Sequence, residues 1–380
     1  MRVLFVFGTR PEAIKLAPVV KELSGRANFD CRICVTGQHR EMLTQVLELF
    51  ELQPDWNLDV MRPNQDLAYL TGAVLSGVGE VLRAFRPDRV IVQGDTTTTF
   101  AGALAAFYHR IPVAHVEAGL RTDDIYSPWP EEVNRRLVTH IADLHFAPTA
   151  KARANLRQEG VGCDRIFVTG NTGIDALLWI DALLDNRPDL RSRFAAVLPE
   201  HFADRRMILM TGHRRESFDG GIASICRAMA RIADRPDTAV VFPVHRNPNV
   251  RQAIEPLRRH PNVLLTEPVD YPELVFLLKR CHFVVTDSGG IQEEAPSFGK
   301  PVLVTRETTE RPEAMGLGLA KLVGTDEERL FSEMTALLDH PDAYSRMSRI
   351  ANPYGDGRAS CRIAQQLMAE PGIPRSDVAG

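Results

Sequence analysis

The sequence predicts an α/β protein of two doubly wound domains facing a cleft, and three observations carry that expectation. Short apolar runs alternate with helix-length amphipathic stretches almost throughout, as in a parallel sheet covered by helices. At 380 residues the chain is too long for one ordinary core. The runs also form two series separated by Leu184–Arg206, a stretch rich in charge and proline that reads as a boundary.

Strands of the first series are expected at Val3–Phe7, Cys31–Thr36, Arg89–Val92, Val113–Val116, Leu144–Ala147 and Ile166–Thr169. The second series is expected at Met207–Met210, Ala239–Pro243, Val263–Leu265, Phe283–Thr286 and Pro301–Val304. The turn Asn352–Gly357 then precedes a final helix, which could return to the first domain. The expected division is an N-terminal Rossmann-like domain, residues 1–170, with the helix at about 358–380 packed back on it, and a C-terminal Rossmann-like domain, residues 171–357.

Composition narrows the function classes. A net charge of -4, from 45 basic and 49 acidic residues without long like-charged blocks, gives no footprint for nucleic acid or an anionic membrane. The opening run Val3–Phe7 is too short for a signal-peptide core and no apolar run approaches a membrane span, so a cytoplasmic protein is expected. Cys31 and Cys34 sit three apart in an expected strand and point to opposite faces, which argues against a shared metal or a redox pair. The single Gly8 is no dinucleotide fingerprint, and no His or Cys spacing suits a metal, so neither cofactor nor metal is expected.

In open α/β sheets ligands bind beyond the carboxyl ends of the strands. The most informative such place is Thr286–Ala295, where a strand hands over to a helix through Ser288, Gly289 and Gly290. Free N–H groups and the helix dipole suit phosphate there, and Glu294 suits ribose hydroxyls. After the first strand come Arg10 and Lys15, cations for an anionic substrate, although Lys15 alone also reads as a solvated helix residue. Asp95, Glu117 and Glu131 follow later strand ends or open the next helix. Alone, Asp95 reads as a helix cap; together the three carboxylates should repel and raise at least one pKa, leaving both an acid and a base near neutral pH. His213 follows the first strand of the second series, and Arg311 lies beyond the last, placed to pair with phosphate.

The motifs Gly8–Lys15, Gly94–Thr99, His115–Thr122, Pro130–Glu132, His213–Glu216, Asp287–Pro296 and Thr308–Glu313 together resemble those of the bacterial non-hydrolysing UDP-N-acetylglucosamine 2-epimerases, in order along nearly the whole chain. The resemblance implies a glycosyltransferase-B-type fold, a homodimer, and interconversion of UDP-N-acetylglucosamine with UDP-N-acetylmannosamine through 2-acetamidoglucal, for surface polysaccharide synthesis. It implies Asp95, Glu117, Glu131 and His213 as the catalytic group. Arg10, Lys15, Ser288, Gly289, Gly290, Glu294 and Arg311 would hold UDP, and the loop from Val269 to Leu274 would meet uracil. Gln38, His39, Arg206 and His245 resemble the lining of a second, allosteric site for UDP-N-acetylglucosamine, while Glu41 and Asn64 depart from the regulated pattern. A relative acting on another UDP-acetamido sugar, or a hydrolysing epimerase releasing N-acetylmannosamine, remains an alternative. A glycosyltransferase gives no reason for three carboxylates in the first domain, and a nucleotide-sugar sensor would need only the Ser288–Arg311 half.

Overall fold

The computed structural model describes residues 1–37, 40–62, 65–212, 221–244 and 248–369. The chain divides into two compact units, Met1–Ala176 with the residues from Tyr354 onward, and Leu177–Pro353. The first holds β1 (Arg2–Phe7), β2 (Asp30–Val35), β3 (Trp56–Asn57), β4 (Arg89–Gln93), β5 (Val113–Val116), β6 (Leu144–Ala147) and β7 (Ile166–Val168). They form one parallel sheet in the order β3-β2-β1-β4-β5-β6-β7. The second holds β8 (Arg206–Thr211), β9 (Thr238–Pro243), β10 (Val263–Thr266), β11 (Phe283–Thr286), β12 (Val302–Val304) and β13 (Ala320–Leu322), parallel in the order β10-β9-β8-β11-β12-β13.

The expected architecture of two parallel α/β units is what the chain adopts, and every expected strand is present. Two further strands, β3 and β13, lie at sheet edges. An edge strand is covered on fewer sides and needs no long apolar run, so these had no signal to read.

The division falls within the helix Thr172–Asn186, at Ala176 and not at residue 170 or at the Leu184–Arg206 composition break. That stretch belongs to the second unit because Phe194, in the helix Pro188–Ala195, and Phe202, ending a short 3-10 turn, are buried. Tertiary burial overrides its linker-like composition. At the other end, the helix Ala359–Ala369 belongs to the first unit. Asp175 accepts hydrogen bonds from the N–H groups of Ala359 (3.1 Å) and Ser360 (2.7 Å), and Ile363, Ala364 and Leu367 are buried.

Strand order reverses once in each sheet, between β1 and β4 and between β8 and β11. Such reversals open a crevice at the carboxyl edge, because the helices following the two strands lie on opposite faces. The segments after Phe7, Gln93, Thr211 and Thr286 are therefore the places where a ligand fits. Their footing is firm: Val3–Phe7 are all fully buried, each contributing roughly 1.5–3 kcal/mol of burial.

Candidate active site

After β1 the chain turns at Gly8 into the helix Arg10–Ser24, capped by Thr9. Only glycine fits the turn, since a Cβ there would stand 2.0 Å from Thr36 Oγ1 and 2.7 Å from Thr98 Oγ1. Arg10 opens the helix and is exposed. Lys15, further along, pairs with Glu117, and both side chains are largely buried.

Gln93 and Val116 are register partners, and the Gly94 N–H donates to the Val116 carbonyl at 3.0 Å, so Asp95 and Glu117 follow neighbouring strand ends. Glu117 has φ 62, a left-handed conformation that costs a side-chain-bearing residue roughly 1–2 kcal/mol. Strain of this kind persists where the surroundings enforce it and concentrates at functional positions. The helix Glu131–Ile141 adds the third carboxylate at its first position. Asn134 donates to the Asp95 carbonyl at 2.9 Å, and Arg135 donates to both the Asp95 carboxylate and Glu132, the latter at 3.2 Å. Four residues apart, Glu131 and Arg135 share a helix face. Fully buried Glu132 also accepts from Arg136 Nε at 2.9 Å and from the Thr122 N–H at 3.2 Å.

Two of these carboxylates have cations beside them: Lys15 meets Glu117 and Arg135 meets Asp95. A further carboxyl, Glu12, hydrogen-bonds to Thr96 next to Asp95, and burial raises its pKa. In β5, His115 Nε2 is 2.7 Å from the Gly94 carbonyl; since a carbonyl only accepts, Nε2 carries the proton. Burial holds His115 down to about 3, and its register partner in β6, His145, down to about 4.

In the second unit, the Thr211 and Thr286 hydroxyls bond at 2.6 Å across the β8 and β11 ends, and Thr286 also accepts from the Ser288 N–H at 2.9 Å. Ser288 caps the short helix Gly289–Glu294 and spends no hydroxyl bond on it. The Arg311 guanidinium rests against Gly289, where a Cβ would stand 2.9 Å from its Cζ. Arg311 Nε donates to Glu293 at 2.9 Å, and Nη1 is 3.4 Å from Glu310. Burial opposes ionisation of Glu310, yet hydrogen bonds from Arg306 and the charge of Arg311 hold it down to about 2. Glu294 accepts from the hydroxyl of buried Tyr271 at 3.1 Å. That bond fixes Glu294 beside the segment from Val269 to Leu274, both partly buried.

The structure therefore gathers Lys15, Asp95, Glu117 and the Glu131 helix start at the carboxyl edge of the first sheet. It gathers Ser288, Gly289, Gly290, Glu294 and Arg311 at that of the second. His213, Gln38, His39, His245 and Asn64 lie outside the described residues, as does the side chain of Glu41. Arg206 requires a correction. It opens β8 opposite Thr238, at the amino end of the sheet, where it pairs with Asp237 and donates to the Leu338 carbonyl. A strand of six residues spans about 20 Å, so Arg206 is remote from the carboxyl edge and lines no site there. Sequence reasoning missed Arg135 and Tyr271; the signals were the four-residue spacing from Glu131 and a position inside the Val269–Leu274 segment.

Residues 21–368 match the family model described as UDP-N-acetylglucosamine 2-epimerase. A UDP-N-acetylglucosamine 2-epimerase of Yersinia pestis is 55% identical over 369 residues, 97% of this chain and 98% of that one. The solved structure of UDP-GlcNAc 2-epimerase from Neisseria meningitidis bound to UDP-GlcNAc is 47% identical with a TM-score of 0.91, over 97% of this chain and 100% of that one. A glycosyltransferase from Streptomyces nogalater, 19% identical with a TM-score of 0.58 over 97% of this chain and 99% of that one, shares the glycosyltransferase-B-type fold and nothing more. By whole-length identity and by family match, the chain belongs to the UDP-N-acetylglucosamine 2-epimerase family.

Proposed function

We propose that this protein interconverts UDP-N-acetylglucosamine and UDP-N-acetylmannosamine by inversion at the sugar C2, without releasing free sugar. The observation that carries the reading is the set of strand-end carboxylates, Asp95 and Glu117 each held by a cation and Glu131 on the helix that grips Asp95. A base of this set takes the C2 proton, the C2–H electrons form the C1=C2 bond, and the C1–O bond breaks to release UDP. In the return step UDP adds at C1 while an acid delivers a proton to the opposite face of C2. His213 joins Asp95, Glu117 and Glu131 in this group.

The C2 proton is weakly acidic, so stabilising the departing diphosphate supplies much of the driving force. Arg10, Lys15, Arg311, the Ser288 hydroxyl and the Gly289 and Gly290 N–H groups serve that charge. Glu294 takes the ribose, and the segment from Val269 to Leu274 takes uracil. A homodimer is supported by the apolar side chains exposed on the helices Thr97–Tyr108 and Glu131–Ile141, namely Phe107, Tyr108, Val133 and Leu137. Six cysteines that are all free support work in the reducing cytoplasm. Incubation with UDP-N-acetylglucosamine in D₂O tests the reading: the manno epimer should appear with deuterium at C2. Free N-acetylmannosamine as the product would sink the non-hydrolysing form, and no exchange would sink epimerisation.

A further inference from the structure

Glu12 is only 1% exposed, and nothing above gives it chemistry. Its two oxygens have four neighbours that carry hydrogen. Oε2 accepts from the N–H groups of Gly8 (2.9 Å) and Thr9 (2.7 Å), and Oε1 stands 2.6 Å from the Thr96 hydroxyl and 2.9 Å from the Thr99 hydroxyl. No charged side chain pairs with it among the described residues: Lys15 on the same helix pairs with Glu117, and Asp95, next to Thr96, pairs with Arg135.

The protons can be counted. Thr99 has one hydroxyl proton, and its shortest contact, 2.6 Å, is to the Gln93 carbonyl, which can only accept. That proton is committed. The Thr96 oxygen accepts from the Thr99 N–H at 3.1 Å, so its own proton is free to go to Glu12. The remaining contact, Glu12 Oε1 to Thr99 Oγ1, joins two oxygens with no proton left between them unless Glu12 supplies it.

We propose that Glu12 is a neutral carboxylic acid in the folded protein, donating to Thr99, and that it is a positioning residue tying the turn after β1 to the turn after β4 that carries Asp95. Each proton in the cluster then has one acceptor, and only the longest contact, 3.2 Å between the Thr96 and Thr99 oxygens, carries none. Burial, which favours the uncharged form, acts in the same direction. The arrangement explains why an acid sits where a charge would have no partner, and it makes Thr96 and Thr99 the means by which the Gly8 turn sets the place of Asp95.

Glutamine is the nearest neutral isostere of a protonated glutamate: its oxygen can accept from Gly8 and Thr9 and its NH₂ can donate to both threonine oxygens, with the Thr96 proton turned to Thr99 Oγ1, 3.2 Å away. Urea denaturation of full-length wild type and Glu12→Gln across pH is the first test. An unfolded glutamate ionises above about pH 4.5, whereas the folded one keeps its proton. The wild-type folding constant should therefore fall against that of the variant by up to about tenfold per pH unit. A ratio that is flat or rises with pH, or a Glu12→Gln chain that does not fold, overturns the neutral acid. Turnover, which rests on the proposed epimerisation, tests positioning. Glu12→Gln should keep kcat within about twofold of wild type, while Thr99→Val, lacking the acceptor, should lose at least about fivefold in kcat with KM nearly unchanged. Wild-type kcat in Thr99→Val overturns the positioning role. Absence of epimerisation in the wild type would remove the function reading and leave the denaturation test standing.

Discussion

Arg135 links Asp95 to Glu132, and replacing it by methionine keeps most of its stem while removing the charge. The surroundings set the size of the effect. Glu132 loses a donor at 3.2 Å but keeps Arg136 Nε at 2.9 Å and the Thr122 N–H at 3.2 Å, so that loss is small, roughly 0.5–1 kcal/mol. Asp95 loses a charge-assisted bond of about 1.5–3 kcal/mol, and water recovers part of it because the side chain is 25% exposed. Arg135 Nε is buried with no hydrogen-bond partner, so its removal returns about 1 kcal/mol. The net destabilisation should be about 1–2 kcal/mol. Turnover should suffer more, by at least about tenfold, because the helix Glu131–Ile141 loses its hold on the Asp95 carboxylate. Urea denaturation and steady-state epimerisation measure the two quantities. A cycle with Asp95→Asn isolates the pair: coupling near 1–2 kcal/mol is expected, and additivity within about 0.3–0.5 kcal/mol would refute the reasoning.

Asp95→Asn, Glu117→Gln and Glu131→Gln should each cut turnover at least about a hundredfold with UDP binding largely retained; near-normal turnover in all three would remove the proposed catalytic group. Arg311→Ala should weaken UDP binding by roughly 1.5–3 kcal/mol, and Ser288→Ala by less because the backbone donors remain; equal affinities by calorimetry would place UDP elsewhere. Gly289→Ala should act in the same direction as Arg311→Ala, since the added methyl carbon would stand 2.9 Å from Arg311 Cζ and must displace the guanidinium. Tyr271→Phe removes a donor to Glu294 and should weaken UDP binding by about 0.5–1.5 kcal/mol, with a smaller loss for 2′-deoxy-UDP; identical losses would take Glu294 off the ribose.

Much of this was legible because one physical pattern, apolar runs with polar residues just beyond them, marks both the strands and the site of a parallel sheet. The places of Asp95, Glu117, Ser288 and Arg311 beyond strand ends were readable from that pattern alone. Arg135 was not, since an arginine within a helix reads as a solvated residue until the fold buries it against Asp95. Arg206 was misplaced because a strand reading that starts at Met207 does not show which way the preceding side chain lies, and Asp237, its partner, is distant in sequence. Glu12 stood in a quoted motif without a task. Its role depends on Thr96 and Thr99, which only the pairing of β1 with β4 brings near.

The paired imidazoles of β5 and β6 give the first sheet a limit of its own. Folded, His115 and His145 refuse protons until about pH 3 and 4, whereas an unfolded histidine takes one near 6.5. Stability is therefore lost as pH falls below 6.5, and two such groups give a slope of about 2.7 kcal/mol per pH unit down to about pH 4. Over two units of acidification the loss from these two groups is about 5 kcal/mol, comparable with the lower end of the roughly 5–15 kcal/mol that holds a typical fold. The sheet that aligns the carboxylates thereby ties its stability to two neutral imidazoles, and acidification weakens it at β5 and β6.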